Sequence, residues 1–148
     1  MRGGKSLRRA AQGVYNDFPV NAKGRPNMTV ILYHNPRCSK SRAAAEWLAA
    51  QGVETQVVRY LDQPPAAAEL RGLAQKLGLA DVRGMMRTKD ELYRSLNLDG
   101  ADNETLIAAI AEHPALLERP IAVYGEKAAV GRPLENIAAL LGRRVGAV

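Results

Sequence analysis

The sequence predicts an α/β fold with a mixed sheet, in the order β-α-β, a helical insert, then β-β-α. Three observations carry this. Two β-branched apolar runs flank an alanine-rich helical pattern near the start of the folded region. The middle, residues 81–118, is mainly helical in its spacing. The last forty residues hold a hairpin signal followed by a helical one.

In order, Met28-Thr29-Val30-Ile31-Leu32-Tyr33 reads as a buried first strand. Ser39 or Ser41 can cap a helix running to about residue 50, which Gly52 stops. Residues 54–61 (ETQVVRYL) form a second strand. A strand–helix–strand unit predicts parallel pairing with a right-handed crossover. Gln63-Pro64-Pro65 is a turn, and Pro65 can start a helix over 66–77, closed by Gly78. Further helices are predicted over 82–86, 89–96 and 104–112, with breaks at Gly100 and Pro114. After Arg119-Pro120, Ile121-Ala122-Val123-Tyr124 and Ala128-Ala129-Val130 flank a Gly125-Glu126-Lys127 turn as a β-hairpin. Gly131-Arg132-Pro133 leads into a last helix over 134–141, and no internal repeat is visible.

A chain of 148 residues with 47% hydrophobic content suits one globular domain with one core. Its apolar runs are far shorter than the ~20 residues that cross a bilayer, so a soluble protein is expected. The net charge of +6 invites a nucleic-acid reading. However, residues 1–27 carry Arg2, Lys5, Arg8, Arg9, Lys23 and Arg25 against Asp17, which is +5, while the remainder holds 15 basic and 14 acidic residues. The basicity belongs to a tail and not to a binding face, which argues against nucleic acid as a partner. Residues 1–27 are expected to be a basic, disordered extension and residues 28–148 the folded domain. The extension lacks the apolar stretch of a secretory signal. Its Arg-rich, acid-poor character also fits a transit peptide, and Met28 fits a natural start.

There is one cysteine, Cys38, so no intrachain disulfide is possible and a reducing cytoplasm is expected. His34 and His113 are far apart and no Cys/His cluster exists, which argues against a metal site. Cys38 lies in Tyr33-His34-Asn35-Pro36-Arg37-Cys38-Ser39-Lys40-Ser41-Arg42, between the first strand and the first helix. A helix N-terminus and nearby cations lower a thiol pKa from about 8.5 toward 3.5–7.5. The same N–H groups bind oxyanions, so a nucleophile and an anion site coincide. Cys38-x-x-Ser41 has the spacing of a Cys-x-x-Cys pair with its second sulfur replaced by oxygen. Ser41 can cap the helix or donate a hydrogen bond to the thiolate, but the resolving thiol must be external. His34 as a cation would stabilise the thiolate; neutral, it would orient the loop. Asn35 can hold the loop through side-chain hydrogen bonds. Arg42, with Arg37 and Lys40, adds positive charge. Arg87, Arg119 and Arg132 stand at the ends of elements beside proline, glycine or methionine. Guanidinium groups suit tetrahedral oxyanions, yet spacing alone does not choose these three over Arg42, Arg59, Arg83 or Arg94.

The chain resembles the glutaredoxin-coupled arsenate reductase family from about residue 28 to residue 141. The resemblance rests on residues 33–42, on Leu61-Asp62-Gln63-Pro64-Pro65, on Met85-Met86-Arg87, on Glu118-Arg119-Pro120-Ile121 and on Gly131-Arg132-Pro133. Ser39-Lys40-Ser41-Arg42 stands where resistance-operon members commonly have Gly-Thr-Ser-Arg, which places the chain nearer the chromosomal branch. The resemblance implies a thioredoxin-like fold and Cys38 as nucleophile, tuned by His34 and Ser41. It implies an arsenate site built from Arg87, Arg119 and Arg132, with Asn35 and Arg42 of the loop, and a cis Arg119–Pro120 bond. Arsenate would be reduced to arsenite with glutathione as co-substrate and a glutaredoxin as partner, by a monomer with no bound cofactor. Two other readings remain: a glutathione-linked thiol–disulfide reductase, and a redox-related regulator of the same fold. Ser41 removes the Cys-x-x-Cys switch of such regulators, and several arginines would be surplus for a disulfide reductase.

Overall fold

The computed structural model describes residues 29–145. The extension expected over 1–27 lies outside the described residues. Strand β1 (Thr29–Tyr33) alternates its side chains. Val30 and Leu32 enter one core layer, with Ala44 and Leu48 of helix α1 (Ser39–Ala50) and Ile137 of the last helix. Tyr33 enters the opposite layer, with Ile31 packed against it. A strand covered on both faces explains the continuous apolar run.

Strand β2 (Glu54–Val58) pairs parallel with β1, so the expected β-α-β unit is present. It is shorter than the expected 54–61. Strand β1 ends at Tyr33, and the His34 N–H caps the ladder on the Val58 carbonyl at 2.9 Å. Beyond that β2 has no partner, and residues 59–63 turn, with the Asp62 and Gln63 N–H groups both on the Arg59 carbonyl.

Helix α2 (Ala67–Leu77) starts after Ala66 and ends at Gly78, whose φ of 72° is the left-handed closure that glycine permits. Pro65 therefore precedes the helix instead of starting it. The insert is helical as expected, with its first two pieces shorter than expected and the third, α4, starting one residue earlier. Residues 82–85 form a 3-10 turn, capped by the Asp81 carboxylate on the Arg83 N–H. Met86 is extended because it pairs antiparallel with Leu117. Helix α3 (Glu91–Ser95) begins where Asp90 caps the Leu92 N–H, and helix α4 (Asn103–Glu112) where Asp102 caps the Thr105 N–H. Arg83 ties the insert together, donating to the Tyr93 hydroxyl and to the carbonyls of Leu98, Asp99 and Ala101.

The hairpin is formed by β3 (Ile121–Tyr124) and β4 (Lys127–Val130), and α5 (Glu135–Leu140) follows. The sheet order is β2-β1-β3-β4, with β3 antiparallel to both its neighbours, so the sheet is mixed. Ala122 faces the α1/α5 layer, while Ile121 and Val123 face the insert. Among the described residues no helix is long and apolar enough to cross a membrane.

Candidate active site

The loop between β1 and α1 is built by its own polar residues. The Cys38 N–H donates to the Asn35 carbonyl at 3.0 Å, and the Arg37 N–H to Asn35 Oδ1 at 3.0 Å. Arg42 Nη1 donates to the Pro36 carbonyl at 3.0 Å. Cys38 is itself the N-cap, with extended backbone, so neither Ser39 nor Ser41 caps α1 by its side chain. The Ser41 hydroxyl is fully buried and points back into the loop. It accepts the Asn35 N–H at 3.0 Å and lies 2.7 Å from His34 Nδ1. The hydroxyl thus ties the His34 ring to the Asn35 backbone and holds both within the loop. Burial, then the charges of Arg59 and Arg42, lower the His34 pKa, which favours the neutral ring. Of the two roles open to His34, the geometry favours loop orientation.

Cys38 is 8% exposed. Burial pushes its thiol pKa up, but opposing effects outweigh it: the Ser41 N–H, the Arg119 guanidinium by hydrogen bond and charge, and the Lys40 N–H. The thiol is held below its ordinary range. Ser41 thus favours the thiolate through its backbone, while its hydroxyl is engaged elsewhere. Arg132 also reaches the sulfur, with Nη2 donating to Cys38 Sγ at 3.9 Å.

Distant segments converge on this sulfur for identifiable reasons. The Met86–Leu117 bridge is flanked by the Arg87 N–H on the Leu116 carbonyl and the Glu118 N–H on the Met85 carbonyl, each 2.8 Å. The insert is thereby locked beside the segment that enters β3, and Arg87 is brought to the same cleft as Glu118 and Arg132. That cleft, about 680 Å³, is also lined by Met86, Lys89 and Asp90. Arg119–Pro120 is cis, as expected, and so is Arg132–Pro133. The Gly131 N–H donates to the Pro120 carbonyl at 2.8 Å, which brings the two Arg-Pro segments together.

The three arginines differ in their partners. Arg87 is paired with Asp90 at 2.8 Å and Arg132 with Glu118 at 3.6 Å. Arg119 Nε is buried and has no hydrogen-bond partner among the described residues. The competing arginines are engaged away from the sulfur. Arg83 holds the insert, Arg94 the Lys89 carbonyl and Glu91, and Arg59 pairs with Asp62. Arg42 is exposed on the first turn of α1 and braces the Pro36 carbonyl of the loop. Among the described residues no group of three or more His, Cys, Asp or Glu side chains could hold a metal ion.

Two residues belong to this site that sequence reasoning did not single out. Tyr60 is buried, and burial pushes its hydroxyl pKa up, while Arg119, Cys38 and Arg87 all act on it and the Asn35 side chain donates to it. Its position just past the end of β2 was the available signal, because residues beyond the carboxyl ends of parallel strands face the site. Glu118, beside Arg119, had no signal of its own.

A model of the ArsC family matches residues 33–140. The chain is 60% identical over 114 residues to a protein described as arsenate reductase from Neisseria meningitidis, a match covering 76% of this chain and 97% of that relative. It is 51% identical over 116 residues to one from Haemophilus influenzae, covering 77% of this chain and 100% of that relative. Among solved structures, an arsenate reductase from Vibrio cholerae matches with a TM-score of 0.70 at 51% identity, over 72% of this chain and 92% of that one. With the mixed sheet and the insert, the fold is thioredoxin-like, as expected.

Proposed function

The chain belongs to the ArsC family, and from that premise we propose that it reduces arsenate to arsenite, with Cys38 as the single nucleophile and glutathione and a glutaredoxin as the source of electrons. One observation carries the reading. A thiol favoured as its anion sits where arginines from two distant loops, Arg119 and Arg132, meet a helix N-terminus. A thiolate and an arsenate repel one another. Preorganised cations between them remove that barrier, and such electrostatic stabilisation is commonly the largest catalytic contribution.

The steps balance as follows. The Cys38 thiolate forms a bond to arsenic(V), and one arsenate oxygen leaves as water after protonation. The thiolate of glutathione attacks the Cys38 sulfur. The sulfur–arsenic bond breaks with its electron pair passing to arsenic, which becomes arsenic(III), and a Cys38–glutathione disulfide forms. A glutaredoxin thiolate attacks the glutathione sulfur and releases the Cys38 thiolate. Two thiols have become one disulfide, which supplies the two electrons. Arg119, with its unpartnered Nε, is the first ligand of the oxyanion; Arg87 and Arg132 complete the site, and Asn35 and Arg42 hold the loop that presents the sulfur. A single thiol that must be returned to its reduced form after each turnover suits a reducing cytoplasm.

The test is arsenite formation from arsenate, glutathione and glutaredoxin by the purified protein, with Cys38→Ser as control. Arsenite well above that control is expected. None above it would overturn the reading.

A further inference from the structure

We propose that Glu118 is a positioning residue that holds Arg132 against the Cys38 sulfur, through the chain Glu118 carboxylate, Arg132 guanidinium, Cys38 Sγ. This rests on the reading of Cys38 as the reacting thiol and adds to it a residue outside the arginine set. A carboxylate beside an anion site is otherwise a disadvantage, since it repels both the thiolate and an incoming oxyanion. Its presence calls for a compensating role.

The geometry supplies one. Glu118 Oε1 lies 3.6 Å from Arg132 Nη1, while Arg132 Nη2 reaches Sγ at 3.9 Å. One guanidinium thus spans the carboxylate and the sulfur. Arg132 stands on an exposed loop, and its side chain is 37% exposed against 23% for that of Glu118. A long side chain in that setting keeps much of its rotamer freedom. It stays on the sulfur only if a second anchor holds it. Glu118 is fixed well enough to be that anchor. Its N–H is tied to the Met85 carbonyl at 2.8 Å, its neighbour Leu117 is fully buried, and its Oε1 accepts the Arg119 N–H at 3.3 Å. The same carboxylate therefore touches both Arg-Pro segments and keeps them in register. The other groups acting on the sulfur are Arg119, by hydrogen bond and charge, and Tyr60, whose hydroxyl feels the charges of Arg119, Cys38 and Arg87.

Charge and positioning give opposite signs, which makes the idea decidable. If Glu118 acted only as a negative charge, its removal would favour the thiolate. If it positions Arg132, its removal disfavours the thiolate. The experiment is the pH dependence of Cys38 alkylation by iodoacetamide, in the full chain, for the wild type, Glu118→Gln, Glu118→Ala, Arg132→Met and the double variant Glu118→Gln/Arg132→Met. Glutamine keeps an acceptor for the Arg119 N–H and removes the charge; alanine removes both. Both Glu118 variants should shift the alkylation midpoint upward and slow the reaction about 2- to 5-fold below that midpoint, the size of a partly exposed ion pair. In the Arg132→Met background the Glu118→Gln change should no longer raise the midpoint, since only the repulsion of the carboxylate is then removed. An unchanged or lowered midpoint in the presence of Arg132, or an upward shift that persists without it, would overturn the proposal. Alkylation reads the only cysteine without arsenate, so failure of arsenite formation in the wild type would sink the proposed function and leave this comparison readable.

Discussion

Replacing Arg119 by alanine removes two contributions at once, and they separate with pH. The first acts on the oxyanion. Arg119 Nε is buried without a partner among the described residues, and its guanidinium is not paired to a carboxylate as Arg87 and Arg132 are. Hydrogen bonds to charged groups are worth about 1.5–3 kcal/mol, so losing this fork should lower kcat/KM for arsenate roughly 10- to 150-fold. The second acts on the sulfur, because Arg119 favours the Cys38 thiolate by hydrogen bond and charge. Its loss raises the thiol pKa, so alkylation slows near and below neutral pH but recovers in alkaline solution, where the thiol ionises without help. The assay pairs arsenite formation with iodoacetamide alkylation across that pH range. Arsenite formation should remain impaired at alkaline pH while alkylation returns to the wild-type rate. Equal losses at every pH would mean that Arg119 acts on the thiol alone, and the argument for it as oxyanion ligand would fail.

Gly131→Ala should destabilise the protein by about 1–3 kcal/mol, the range for overpacking a core. A Cβ there would lie 2.5 Å from Ile137 Cδ1 and 2.9 Å from Pro120 Cγ, and the proline ring cannot swing away; thermal melting reads the loss, and a melting point at the wild-type value would refute the packing argument. His34 gives a pH dependence. Its folded pKa is lowered by burial and by Arg59 and Arg42, so as pH falls below the ordinary histidine value of about 6.5 the unfolded chain takes up the proton first. Stability is then present above that pH and lost below it. Melting temperatures between pH 8 and pH 5 should fall less steeply in His34→Gln than in the wild type; parallel slopes would remove His34 as the cause.

Much of the fold was legible because its signals are local. Residues 29–33 and 121–130 carry β-branched runs and a Gly-containing turn, and α1 and α4 are regular enough to be placed within a residue or two. The errors arose where tertiary pairing overrides local preference. Met86 is helical by pattern but extended in fact, because it pairs with Leu117. The expected strand over 54–61 stops at Val58, because its neighbour ends at Tyr33.

The site divides in the same way. Sequence by itself determined that the one thiol begins a helix, in a basic loop and with no internal resolving sulfur, because those properties depend on residues within a few positions of Cys38. Spacing could not say which arginines reach that thiol, or whether Ser41 and His34 act on the sulfur or on the loop. Only the tertiary structure decided that, since the 3.9 Å contact from Arg132 spans 94 residues, and the Met86–Leu117 bridge that brings the insert to the cleft joins segments distant in the chain. Chain order carries no information about which of several equivalent guanidinium groups will be drawn to a carboxylate or a carbonyl elsewhere. Arg83, Arg94 and Arg59 are so engaged, and Arg119 is left with a donor free.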